Sequence, residues 1–467
     1  MAQVEVDYKR PVMRQPWAAE IYAAMVTYFT NGDADQEGHA ESLRDAVYRE
    51  LDVAIEDSGT ATDSPVCAYP VGSGGNPRWD GGGNMVATMS SHDFERGSVM
   101  RLTDLPLGFV PNRDIIIIDE FHIVALERSL SERLLQPRAL SLGPAGVDDL
   151  WSVFFGEPYP AVAHGHLVAF HALAHIGSDG EQPSVIKAVN TADRGLVLTL
   201  SLRSDDGASE TRRVHLLDIE FDDVRTIDDA LLGSRGVNSA VVILSWGLVD
   251  CAVSDAYASL PAMAGDTRDQ TLAHYLHALM SGPDTEELVR NMCRIFRDHD
   301  ALKGVNCDES DLEWVAGFGT LAAFAEMNSR ATRSFEMEFE TDGDVRYLAA
   351  AGNAGLPFPM PPAGWPGIVG VEACTANVAG IAAFSNAGTV PGLSLYPAVR
   401  AVGAWFQAPT WRGDASDELL EGYWGTSFAA PAAAVMFATG QFALEPVGTA
   451  NVPPIVLPGC SNATDDP

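Results

Sequence analysis

Gly425-Thr426-Ser427-Phe428-Ala429-Ala430-Pro431 sets a serine between a glycine turn and the start of an alanine-rich helix. A serine hydroxyl attacks a carbonyl only once a base takes its proton. It works best where backbone N–H groups and the positive end of a helix face the developing oxyanion. The small side chains of Ala429, Ala430, Ala432, Ala433 and Ala434 let such a helix lie close to its neighbours. Pro431 is expected in the first turn, where its missing N–H is not needed. The chemistry to look for is acyl transfer, weighed against a buried helix with an incidental serine. Acyl transfer also needs a base, a group that orients the base and an oxyanion donor. The orienting carboxylate belongs at the end of a central strand, and Asp119 ends the apolar run Ile115-Ile116-Ile117-Ile118.

The heptapeptide resembles the serine motif of the subtilisin-like serine peptidases, the subtilases. His164-Gly165-His166-Leu167-Val168-Ala169 is similar to that family's histidine motif, in which a His-Gly pair opens a buried helix. The resemblance makes His164 the general base, with His166 where the family usually has threonine. It makes Asp119 the orienting carboxylate, although Glu120 and Phe121 follow where the family has Ser or Thr and Gly; Glu120 is a candidate competitor for the role. Ala349-Ala350-Ala351-Gly352-Asn353-Ala354-Gly355 resembles the segment that carries the oxyanion-hole asparagine, which implies that role for Asn353. Val369 to Ala373 and Ala383 to Gly388 are similar to the strand and loop between these last two motifs. Leu244-Ser245-Trp246-Gly247 is similar to the strand end that lines the substrate cleft, where a peptide adds as an extra strand. Ser245, Trp246 and Gly247 are the implied substrate-binding residues, with Trp246 shaping a specificity pocket or lying in the core. The order Asp, His, Ser is that of subtilisin and differs from two other well-known triad orders.

The implied activity is hydrolysis of peptide bonds by a serine endopeptidase through an acyl-enzyme; the alternative is an inactive subtilase-like binding or scaffold protein. No cofactor is implied, and no residue pattern indicates a metal, structural calcium being left open. His171 and His175 are spaced as H-x-x-x-H, but without a nearby glutamate this is a weak zinc signature, and core histidines are the plainer reading. An apolar strand ending in Asp-Glu also occurs in P-loop nucleotidases. None of Lys9, Lys187 or Lys303 has the Gly-Lys-Ser/Thr context which that reaction requires.

The elements that must position these residues read as an α/β fold, a mostly parallel sheet flanked by helices, with a helical insertion and an N-terminal extension. The β-branched run ending at Asp119 suits a strand covered on both faces. Further strands are expected at Ala240 to Leu244 and Val345 to Ala351, with helices at Trp17 to Thr30, at Glu41 to Glu56, from His164, at Ile227 to Ser234 and at Glu286 to Arg297. Phe335 to Glu340 alternates as a half-exposed strand. The domains expected are an N-terminal extension over 1–105, a peptidase domain over 106–440 with an insertion at about 252–340, and a tail over 441–467.

A chain of 467 residues with 46% hydrophobic and 20% charged residues has a globular composition. Its formal charge of −35, from 64 acidic and 29 basic residues, repels phosphate backbones and anionic lipid. The expected partner is a protein or peptide substrate, with neither nucleic acid nor membrane, and with a regulatory partner envisaged at the insertion or the N-terminal extension. The start of the chain shows no secretory signal, and six scattered cysteines without a C-x-x-C pair read as reduced thiols, which points to a cytoplasmic setting.

Overall fold

The computed structural model describes residues 17–30, 66–69, 78–79, 85–86, 102, 105, 108–136, 140–155, 163–177, 183–191, 195–203, 209–218, 239–250, 321, 325, 328–329, 344–353, 355–376, 380–382, 384–404, 406–407, 422–447 and 452–461. The helices expected at Glu41 to Glu56, Ile227 to Ser234 and Glu286 to Arg297, and the strand expected at Phe335 to Glu340, lie outside them.

The chain opens with α1 (Ala18–Thr30), then three short strands: β1 (Val66–Tyr69), β2 (Arg78–Trp79) and β3 (Met85–Val86). The main body follows as β4 (Asp114–Asp119), α2 (Ile123–Leu134), β5 (Leu140–Ser141), α3 (Val147–Phe155), α4 (His164–His175), β6 (Ser184–Thr191), β7 (Gly195–Arg203), β8 (Ser209–Asp218), β9 (Ser239–Leu244) and β10 (Gly247–Asp250). It closes with β11 (Asp344–Ala350), β12 (Ile368–Thr375), β13 (Val399–Ala404), β14 (Phe406–Gln407), β15 (Gly422–Tyr423), α5 (Thr426–Ala438) and β16 (Ile455–Val456).

Ten strands form one sheet in the order β16-β13-β12-β11-β9-β4-β8-β7-β6-β5. Every pair from β16 to β8 is parallel, and the run β8-β7-β6-β5 is antiparallel. The mostly parallel α/β architecture is thus present. The antiparallel wing over residues 140–218 is an addition to the expected βα alternation. So is β16, which turns part of the expected C-terminal tail into a sheet strand.

Alternation along β4 divides the core. Ile115 and Ile117 join the helix-covered face with Leu167, Val168, Phe428 and Ala429, whereas Ile116 and Ile118 join the other face with Val242, Leu244, Trp246, Tyr347 and Trp365. Asp119 has the parity of Ile115 and Ile117, so its carboxylate is delivered to the side where α4 and α5 pack. Register levels the strand ends as well. Ile118 stands opposite Leu244, and Leu244 opposite Ala349, so Asp119, Ser245 and Asn353 all leave the sheet at one carboxyl edge.

The N-terminal helix is anchored to this body. Tyr22 stacks on Phe358 at 3.7 Å between ring centroids and an 8° interplanar angle. The Asn328 amide donates to the Tyr22 hydroxyl at 2.7 Å and accepts from the Trp365 indole N–H at 2.9 Å. Burial pushes the Tyr22 phenol far above its ordinary range.

Candidate active site

α4 begins at His164, and the first contact that places it is made by a residue with no side chain. The Gly165 amide donates to the Glu120 carbonyl at 3.0 Å. A Cβ at position 165 would lie 2.5 Å from that oxygen and 2.9 Å from the Asp119 Cβ, so only glycine lets the helix come this close to the end of β4. The approach puts His164 Nδ1 2.9 Å from Asp119 Oδ1 and 3.0 Å from Oδ2. Asp119 is fully buried and His164 is 4% exposed. Asp119 Oδ1 also accepts the Glu120 backbone N–H at 2.8 Å, which fixes the carboxylate plane. With Nδ1–H committed to the carboxylate, the neutral ring carries its lone pair on Nε2, the nitrogen a base would use. Glu120 is exposed and does not compete with Asp119: one step along the strand turns it to the opposite side.

The nucleophile candidate stands at the second residue of α5. Gly425, the residue before the helix, has φ 152° and ψ 157°, a backbone conformation that favours glycine, and its amide is held by the Gly403 carbonyl at 2.8 Å. Ser427 is fully buried, and its hydroxyl donates to the Ser245 carbonyl at 3.1 Å. Pro431 lies inside the helix rather than in its first turn. It withholds the N–H that the Ser427 carbonyl would otherwise accept one turn on. The Ser245 hydroxyl takes that place, donating to the Ser427 carbonyl at 3.2 Å. Ser245 and Ser427 are therefore tied in both directions, which sets the height of the helix start against the end of β9. The ring of Phe428, beside Ser427, lies 6.4 Å from that of His164. Asp119, His164 and Ser427 thus come to one corner, where α4 and α5 meet the carboxyl edge.

Asn353 follows β11 and is 1% exposed. Its carbonyl oxygen accepts from the Thr426 amide at 2.8 Å and the Thr426 hydroxyl at 3.0 Å. Because a backbone N–H can only donate, these bonds fix which end of the amide is oxygen. The Nδ2 group is a buried donor with no hydrogen-bond partner among the described residues. A buried donor left open is costly unless something arrives to use it. Its amide is fastened to Thr426, the neighbour of Ser427 in the chain, and a donor of this kind is one that an oxygen gaining negative charge can use.

Of the implied substrate-binding residues, Trp246 belongs to the core. It is fully buried, and its indole N–H donates to the Ile118 carbonyl at 2.8 Å. The strict alternation of the preceding strand carries this side chain into the sheet's second face. Ser245 is committed to Ser427, and Gly247 begins β10.

The other histidines of α4 are structural. His166 donates from Nδ1 to the Phe154 carbonyl at 3.0 Å and accepts the His122 amide on Nε2 at 3.2 Å, a pair of bonds only the neutral ring can make. Burial holds it down to about 3. His175 donates to the His171 carbonyl at 2.8 Å and is held at about 4 by burial. Burial, and then the neighbouring His175, keep His171 well below the usual imidazole range. Among the described residues no group of three or more His, Cys, Asp or Glu side chains is placed to hold a metal ion. The sequence reading missed the carbonyl that Pro431 vacates. Its signal was present in the spacing Ser427 to Pro431, four residues apart.

Residues 320–445 match the profile of the Subtilase family. Among solved structures the chain is similar to the Prenylagaramide maturation protease PagA, with 14% identity over 71% of this chain and 76% of that one and a TM-score of 0.28. It is also similar to the PatG macrocyclase in complex with peptide, with 14% identity over 75% of this chain and 82% of that one and a TM-score of 0.26. No curated protein matches the chain. No helix among the described residues is long and apolar enough to cross a membrane.

Proposed function

We propose that this chain, whose residues 320–445 carry the subtilase family segment, is a serine endopeptidase that cleaves protein or peptide substrates through an Asp119–His164–Ser427 triad. The observation that carries this reading is the 2.9 Å contact between Asp119 and His164 at the sheet edge that also holds Ser427. Both residues lie outside the matched segment, so their meeting is support independent of it. In the proposed reaction Ser427 Oγ turns from the Ser245 carbonyl to His164 Nε2, gives up its proton and attacks the scissile carbonyl. Asp119 stabilises the imidazolium, and Asn353 Nδ2 with the Ser427 backbone N–H receives the oxyanion. His164 then protonates the leaving amine, and water admitted by the same base releases the acyl group.

A peptidase assay on purified Ser427→Ala tests this. The hydroxyl bonds a carbonyl that the helix does not need, so the variant is expected to fold with an unchanged circular dichroism spectrum and to lose peptide hydrolysis. A Ser427→Ala protein that hydrolyses peptide at the parent rate would refute the reading, and a parent protein with no hydrolysis on a broad peptide library would favour the scaffold alternative. The cytoplasmic setting loses its cysteine argument, because Cys374 and Cys460 form a disulfide and are not the reduced thiols expected.

A further inference from the structure

We propose that Asp218 is a positioning residue for the triad, holding through a single peptide group the contact between the end of β4 and the start of α4. The proposal rests on the peptidase reading above and adds a residue to its machinery.

β4 and β8 are parallel neighbours that end together, with Asp119 opposite Asp218 in register. Parity puts both side chains on one side of the sheet. Leu216, two residues before Asp218, lies in the helix-covered core with Ile117, whereas Leu217 lies in the other core. A chain leaving a sheet needs new partners for its backbone amides. The Glu120 amide goes to Asp119 Oδ1 at 2.8 Å, and the Phe121 amide goes to Asp218 Oδ1 at 2.8 Å. The Phe121 N–H belongs to the same peptide group as the Glu120 carbonyl, which accepts the Gly165 N–H at 3.0 Å. One rigid plane is therefore gripped at its N–H by Asp218 and at its C=O by α4. The two bonds reinforce each other, because a carboxylate on the N–H polarises the peptide and makes its carbonyl a better acceptor. A Cβ at position 165 would also lie 2.9 Å from Phe121 Cζ, so the helix start rests directly on this unit. His164 is the residue next to Gly165. Without the Asp218 acceptor the plane loses one of its two grips, and the Nδ1 contact to Asp119 loosens with it. β8 flanks β4 on the side away from β9, so Asp218 stands off from the edge that carries Ser245. Its loss is therefore expected to affect the reactivity of Ser427 rather than the binding of what reacts with it.

Three variants of the full chain test this. Asp218→Ala removes the acceptor, Asp218→Leu removes it at similar bulk, and Asp218→Asn keeps an oxygen that can take the Phe121 N–H. Each is titrated with a small fluorophosphonate, separating the maximum labelling rate at Ser427 from the half-saturating concentration. The Ala and Leu variants are expected to lose about 10- to 100-fold in the maximum rate, with the half-saturating concentration unchanged. Asp218→Asn is expected to label at the parental rate. A second readout is the deshielded proton resonance of the hydrogen bond between His164 and Asp119, assigned by its loss in His164→Ala. It should persist in the parent and in Asp218→Asn, and shift or broaden in the other two. The comparison is made on whichever acceptor-free variant keeps the parental circular dichroism spectrum; loss of fold in both would assign Asp218 to stability alone and overturn the proposal. So would an Asn variant as slow as Ala, or a folded Ala or Leu variant with parental rate and resonance. If the parent itself were not labelled at Ser427, the nucleophile reading would fall and this proposal with it.

Discussion

Asn353 uses one end of its amide for structure, and the proposed reaction would use the other. The oxygen fastens Thr426, the first residue of α5, through two hydrogen bonds, while the buried Nδ2 has no partner among the described residues. Asn353→Asp keeps an acceptor for Thr426 and removes the donor. It is expected to lower kcat by about 10²–10³ while the melting temperature stays near that of the parent. Asn353→Leu removes both functions and is expected to lower the melting temperature as well. An Asp variant with parental turnover would show that Nδ2 stabilises no oxyanion. The residue scale was also the most legible in the sequence. Ser427, His164, Asp119 and Asn353 stand in local motifs, and strand parity allows only one of Asp119 and Glu120 to meet His164. Trp246 was not legible, because an indole next to a cleft-lining serine reads the same whether it faces a pocket or the core.

At the scale of the element, α4 is a helix buried over its whole length with four histidines in twelve residues. Of these, His171 packs its ring 4.6 Å from Phe406 and 5.0 Å from Phe428, joining α4 to the start of α5. Burial holds His166, His171 and His175 neutral in the folded protein, below the ordinary imidazole value of 6.5. The sign follows from proton linkage: below about pH 6.5 the unfolded chain takes up protons that the folded chain refuses. Stability is therefore fully present above that pH and is lost as pH falls towards the folded values of about 4 for His175 and about 3 for His166. Thermal melts at stepped pH should show the melting temperature falling through this window, with a shallower fall in His171→Phe. Equal slopes in the two proteins would remove His171 from the account. The strands show what sequence signals can carry. A run of four isoleucines marks β4, whereas β7 is marked only by the alternation of Leu196, Leu198, Leu200 and Leu202, all buried, a weaker signal than the βα rhythm around it.

For the molecule as a whole, the chain's distant parts are closed by contacts that no local pattern encodes. Cys374, in β12, bonds Cys460, just beyond β16, across 86 residues. β16 contributes two residues to the sheet edge, too few to be read from sequence, and the disulfide adds a covalent tether to its backbone pairing with β13. A bond closing so long a loop restricts the unfolded chain. Cys460→Ser is expected to lower stability to urea by about 2–4 kcal/mol, and an unchanged midpoint would show that the C-terminal segment is held by its other contacts alone. The largest claim at this scale is that β4, α4 and α5 bring carboxylate, imidazole and hydroxyl together for covalent chemistry. Labelling the full chain with a fluorophosphonate and mapping the modified peptide tests this most directly. The account predicts modification at Ser427 that is lost in His164→Ala; an unmodified Ser427 in the folded, reagent-treated protein would contradict it.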